Sequence, residues 1–236
     1  MLADSFGYEI KKKENFDTFF QIDPLFNDLY RKAQMQTQME QTDNELRRQR
    51  HYVLTYLLRN ADLKTGNVCE LGCWRGLSAY QIATYLKQQN ADVIFHIFDS
   101  FQGLSEIEQE DVYGKERRSE DSLRTQFSCS LEKVQENLKE FKFIRYHKGW
   151  IPERFHEVEG EMFSFVHVDV DLYQPTLDSF EFFYKRLATG GIMVFDDYGC
   201  IQFPGAKKAI DEGVSRFRKH FFVPLPSGQA FLIKDA

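Results

Sequence analysis

Short apolar runs recur along the chain at residues 68–71, 93–98, 141–147, 163–170 and 192–195. Between them lie stretches with helical spacing, clearest over residues 77–87, 175–187 and 205–217. Strands that alternate with helices require crossover connections, so the pattern predicts a parallel sheet covered on both faces. The end of the chain differs. Two β-rich runs, 221–223 and 229–233, flank Pro224-Leu225-Pro226-Ser227-Gly228, which signals a hairpin. The expected fold is α/β, with seven strands, mostly parallel, and an antiparallel pair at the end.

Ahead of this alternation, residues 1–41 are polar and mixed, with Lys11-Lys12-Lys13, a Phe16, Phe19, Phe20 cluster and a glutamine-rich patch. Pro24 interrupts any single long helix there. The segment reads as an N-terminal helical extension, or as a lid or dimer arm. Thr42-Asp43-Asn44-Glu45 resembles a capping box with Thr42 as the N-cap. It opens an apolar stripe through Leu46, Tyr52, Val53, Tyr56, Leu57 and Leu58, and the main domain is expected over residues 42–236. Residues 102–127 are acidic and lack periodicity. They follow the second strand's carboxyl end, where ligands enter an open α/β sheet, so they read as a substrate lid or as a solvated loop.

Composition removes several function classes. Of 236 residues, 42% are hydrophobic and 15% aromatic, enough apolar surface to exclude a disordered chain. A net charge of −6 argues against a nucleic-acid partner. No apolar run is long enough for a membrane helix, and no basic-then-apolar leader is visible, so a cytoplasmic location is expected. The four cysteines lack the spacing of a zinc site and are too few for a disulfide scaffold.

Three constellations carry chemistry. Glu70-Leu71-Gly72-Cys73-Trp74-Arg75-Gly76-Leu77-Ser78 reads as strand, glycine turn and helix start, the arrangement that offers bare helix N–H groups to a ligand. Asp99, at the next strand's end, suits a ribose diol; the plainer alternative is a turn cap in Asp99-Ser100. Third, His167-Val168-Asp169-Val170-Asp171 and Asp196-Asp197 lie at two predicted strand ends. Residues two apart share a strand face, so His167, Asp169 and Asp171 should point one way. Carboxylates crowded there need a cation or proton between them, and all-oxygen donors select a hard cation such as Mg2+. Independent capping and ion pairing is the plainer alternative. His167 and His147 are candidate proton acceptors, each with a structural role as the alternative; Trp150 is placed to line the site or anchor a turn.

Through these motifs the chain resembles the macrocin O-methyltransferase (TylF-like) family. The likeness runs through residues 70–78, Phe98-Asp99-Ser100-Phe101-Gln102-Gly103-Leu104, His147-Lys148-Gly149-Trp150, residues 167–176, Gly190-Gly191, Asp196-Asp197-Tyr198-Gly199 and residues 204–212. It implies a Rossmann-like class I methyltransferase fold and methyl transfer from S-adenosylmethionine to the hydroxyl of a sugar or glycosylated metabolite, with Mg2+ assisting. By position it implies that Glu70, Gly72, Gly76 and Ser78 border the cofactor's methionine end, Asp99 and Ser100 its ribose. It makes Asp169, Asp196 and Asp197 metal ligands and Asp171 the remaining carboxylate. The proton acceptor stays open among Asp169, Asp171 and His167. A small-molecule sugar partner follows, without nucleic acid or membrane, and a homo-oligomer is compatible. A dinucleotide-dependent oxidoreductase is the competing reading, against which Trp74 stands where its second glycine belongs. A non-catalytic binder on the same fold is the other, against which all four aspartates stand.

Overall fold

In the computed structural model, which describes residues 19–112 and 125–236, a seven-stranded sheet forms the centre. Its strands are β1 (Asn67–Leu71), β2 (Phe95–Asp99), β3 (Ile144–Lys148), β4 (Phe163–Val168), β5 (Leu187–Phe195), β6 (His220–Pro224) and β7 (Ala230–Lys234). Their order is β3-β2-β1-β4-β5-β7-β6. The first five run parallel, while β7 is inserted antiparallel between β5 and β6. The expected parallel sheet with a terminal hairpin is present.

Every residue of β4 is buried, because helices cover both faces and a central parallel strand then has no wet side. Alternation along the strands divides the core. Val68, Phe95, Ile97, Phe165 and Val194 face α3 (Glu45–Arg59), α4 (Leu77–Gln88) and α5 (Leu131–Asn137). Cys69, Leu71, Val166, Val168 and Phe195 face α6 (Tyr173–Arg186), joined by Ile210 of α7 (Pro204–Arg216). Phe180 of α6 stacks on Phe195, ring centroids 5.2 Å apart. Burying a side chain of that size contributes about 1.5–3 kcal/mol.

Pro24 separates a short helix, α1 (Phe19–Ile22), from α2 (Pro24–Thr37). It occupies the first helical position, where its missing N–H costs nothing, and Asp23 caps the helix by accepting from the Phe26 amide at 2.9 Å. Phe26, Tyr30 and Ala33 pack on Leu77, Tyr52, Trp74 and Tyr80, so α2 lies against the glycine turn. Within the stretch expected as a lid, residues 113–124 lie outside the described residues. No helix among the described residues is long and apolar enough to cross a membrane.

Three local expectations need correction. The N-cap of α3 is Asn44, not Thr42: the Asn44 side chain accepts from the Arg47 amide at 2.9 Å, while the Thr42 hydroxyl donates back to the Met39 carbonyl. The fourth strand stops at Val168 rather than continuing to residue 170. Asp171 adopts a left-handed backbone (φ 59°), so it leaves the strand alternation that His167 and Asp169 follow. Finally, the strand expected over 192–195 already begins at Leu187. Its register on β4 jumps between the Leu187 and Ile192 pairings, and the bulge there carries Gly190-Gly191.

Candidate active site

A cleft of about 470 Å³ opens at the carboxyl ends of β1, β2, β4 and β5, roofed by the first half of α3. That is the position where open parallel sheets bind ligands. The glycine turn forms one wall. Gly72 has φ +78°, and a Cβ there would come within 1.9 Å of the Asp169 carbonyl oxygen, so no other residue fits. Gly76 (φ +89°) caps α4 without a side-chain acceptor, which leaves the first N–H groups of that helix bare. Gly72, Ser78, Asp99 and Ser100 line the cleft; Gly76 does not.

Asp99 sits where the ribose reading places it, but its carboxylate is already engaged. Oδ2 accepts from the Cys73 and Trp74 amides at 2.7 and 3.2 Å, and Oδ1 from the Phe101 amide at 2.6 Å. A carboxylate offers about four acceptor positions, so about one is left for a ligand. Ser100 is similarly employed, donating to the Gly103 carbonyl and accepting from the Gln102 amide.

The opposite wall is acidic. The sheet ladder continues one residue past β4 and β5, with the Asp169 amide bonded to the Leu71 carbonyl and the Asp196 amide to the Val168 carbonyl, both at 2.9 Å. Those two bonds set the side chains of adjacent strand ends beside each other. Carboxylate oxygens of Asp169, Asp196 and Asp197 all lie within 4.8 Å of one another. Asp171 joins them, its amide donating to Asp197 Oδ2 at 3.2 Å. Burial, reinforced by Asp196 and Asp197, holds the Asp169 carboxyl well above the usual carboxylate range. Burial and the Asp197 charge do the same to Asp171.

Two partners of this cluster, Arg50 and Gln229, were not read as site residues, and a third, Glu70, was read in another role. The Arg50 guanidinium, from α3, forms ion pairs with Asp196 and, at 3.2 Å, with Asp197, and also donates to the Asp196 carbonyl. Its signal was present in the sequence: Arg50 sits four residues from Leu46 and from Leu54, on the inward stripe of an amphipathic helix. Gln229, just before β7, donates from Nε2 to Asp196 Oδ1 at 2.7 Å and to the Arg50 carbonyl at 3.2 Å. No local pattern marks it. Glu70 was expected at the cofactor's methionine end, yet it is fully buried, does not line the cleft, and holds His167 Nδ1 at 2.9 Å.

Burial alone would push the His167 imidazolium down, but the Asp196 and Glu70 carboxylates outweigh it and hold the pKa up at about 10. His147, the other candidate proton acceptor, lies outside the cleft lining, bonded to Glu157 at 2.5 Å and to His96 at 3.0 Å. Trp150 does line the cleft.

Residues 55–224 match the family described as macrocin O-methyltransferase (TylF). Among curated proteins, demethyldecarbamoylnovobiocin O-methyltransferase from Streptomyces niveus is 25% identical over 157 residues, covering 64% of this chain and 59% of that protein. The 8-demethyl-8-(2,3-dimethoxy-alpha-L-rhamnosyl)-tetracenomycin-C 4′-O-methyltransferase of Streptomyces olivaceus is 27% identical over 145 residues, covering 58% and 55%. The matches thus span less than two thirds of either relative. Among solved structures, the O-methyltransferase NovP superposes with a TM-score of 0.63 at 22% identity, over 79% of this chain and 80% of that one. The calicheamicin methyltransferase CalS11 superposes with 0.64 at 17%, over 94% and 99%. The fold is therefore that of the class I O-methyltransferases.

Proposed function

The chain belongs to the macrocin O-methyltransferase (TylF) family, and from that premise we propose that it transfers a methyl group from S-adenosylmethionine to a sugar hydroxyl, with a divalent cation such as Mg2+ held by Asp169, Asp196 and Asp197. The observation that carries this reading is the convergence of those three carboxylates beside the glycine turn. The donor set fits a hard cation: oxygen ligands only, with Asp197 buried and Asp169 and Asp196 half-buried, and more negative charge than Arg50 alone offsets. The turn fits a cofactor with a polar end, since Gly72 leaves the backbone bare and α4 presents uncapped N–H groups. The sugar acceptor is supported by the relative named for methylating the 4′ position of a rhamnosyl-tetracenomycin.

When bound, the cation would supply the charge that lowers a sugar hydroxyl's proton affinity, and the sulfonium cofactor an activated methyl group. The protein's own part is alignment and proton handling. Sheet hydrogen bonds fix the backbone at Asp169 and Asp196, and Gln229 holds the Asp196 Oδ1 at 2.7 Å, so the cluster is partly preorganised. Of the candidate proton acceptors, His167 has its Nδ1 engaged by the buried Glu70 carboxylate at 2.9 Å. Asp171 lines the cleft beside the three-carboxylate cluster without belonging to it, which leaves its oxygens available to a substrate hydroxyl. It is assigned the role of general base.

The test is methyl transfer from labelled S-adenosylmethionine to a panel of sugar nucleotides and glycosides, with and without a chelator. Transfer that vanishes on chelation and returns with Mg2+ is expected. Chelator-resistant transfer would remove the metal role, and absence of transfer to every sugar alongside transfer to another acceptor class would remove the substrate assignment.

A further inference from the structure

We propose that Arg47 and Arg75 form a receptor for one oxyanion, a carboxylate or a phosphate, built around the Trp74 ring beside the glycine turn. The inference rests on the proposed function only for what enters the cleft. Both guanidinium carbons lie within 6 Å of the Trp74 ring centroid, Arg47 at 5.9 Å and Arg75 at 5.6 Å. Stacking on an aromatic face fixes the plane of a guanidinium while leaving its N–H edge free. All three side chains line the cleft.

What sets these two arginines apart is what they bind. Arg47 donates to the Thr42 hydroxyl at 2.9 Å, and Arg75 to the Gln38 carbonyl at 3.3 Å, both neutral acceptors. Neither has an ion-pair partner among the described residues, whereas Arg48 and Arg50, on the same helix as Arg47, are paired with Asp43 and with Asp196 and Asp197. The carboxylate at the adjoining strand end, Asp99, is taken up by three backbone amides. Two half-buried like charges beside one ring therefore stand without a counter-charge among the described residues. Each guanidinium has five N–H donors, most of them free to fork onto an oxyanion. The uncapped start of α4, immediately after Arg75, adds its partial positive charge on the same side.

Two molecules expected in the cleft carry such a group: the cofactor, through its amino-acid carboxylate, and a nucleotide-linked sugar, through its diphosphate. Titration calorimetry on the wild-type chain and on R47Q, R75Q and the double variant separates them. The probes are S-adenosylhomocysteine, its decarboxylated analogue, and uridine diphosphate. In the double variant, at least a tenfold loss for S-adenosylhomocysteine with the decarboxylated analogue unaffected places the cofactor carboxylate between the arginines. A tenfold loss confined to uridine diphosphate places an acceptor phosphate there. In either case, Arg→Lys variants recover part of the affinity. The proposal is overturned if the double variant binds all three probes as the wild type does, or loses both cofactor analogues equally. A wild-type chain that binds neither cofactor analogue refutes the methyltransferase reading instead, and the uridine diphosphate arm still judges the receptor.

Discussion

Aspartates stand at the carboxyl ends of three parallel strands of this sheet, β2, β4 and β5, and they meet opposite fates. Asp99, the last residue of β2, turns back on its own loop and takes three backbone N–H groups, so its charge is dispersed within the glycine turn. Asp169 and Asp196, after β4 and β5, find no such amides for their side chains. They face each other, Asp197 and Asp171, with one guanidinium and one imidazolium to offset them. The same residue type at the same sheet edge thus becomes a structural clasp in one place and part of a crowded acidic cluster in another. Local backbone decides which: a turn that exposes amides satisfies a carboxylate, whereas two parallel strand ends only bring more carboxylates.

The comparison breaks most visibly at Asp196. In Asp196→Asn, methyl transfer should fall at least about 100-fold, a barrier rise of about 2.7 kcal/mol, while calorimetric affinity for S-adenosylhomocysteine stays near wild type. Equal loss of both would make Asp196 part of the cofactor wall. Next, Arg50→Met should destabilise the metal-free protein by about 3–5 kcal/mol, since it strands buried carboxylates. Added Mn2+ or Mg2+ should restore part of the lost Tm; a Tm indifferent to metal would show that the cluster does not gather a cation.

Asp99→Ala sharpens the other side. Loss of three amide contacts to a charged group should cost about 1.5–3 kcal/mol in denaturant unfolding. If cofactor affinity falls as well, Asp99 serves both turn and ribose; if it does not, Asp99 is a clasp alone. The smallest effect concerns pH. His167 is held up from 6.5 to about 10, so its stabilisation is complete below about pH 6.5 and is lost as pH rises through 10. Half-buried His51 and buried His96, pushed by desolvation down to about 3 and about 4, act in the other direction, costing stability as pH falls below 6.5. Melting curves of His167→Gln should therefore lose the alkaline decline and keep the acidic one.

The parts of this site that follow from short-range pattern were legible in the sequence. Gly72 is dictated by the turn, and Asp169 and Asp196 by the ends of apolar runs. What was not legible is long-range satisfaction. The Glu70–His167 contact spans 97 residues and depends on β1 lying directly beside β4, with those two residues in register. Gln229 reaches Asp196 only because β7 is threaded antiparallel next to β5. Asp171 was misplaced for the reverse reason, since a period-of-two argument holds only while the strand lasts, and β4 ends at Val168.

The Gln229 bridge has a consequence for how the protein fails. Gln229 ties the Arg50 carbonyl and the Asp196 carboxylate together from a hairpin whose outer strand, β6, has only β7 for a neighbour. Peripheral strands open at lower free energy than central ones. Fraying of that margin would release the tether on Asp196 while the parallel interior stayed intact. Partial denaturation should therefore abolish the proposed methyl transfer first and unfold the chain second, with the hairpin acting as an interlock between edge and cleft.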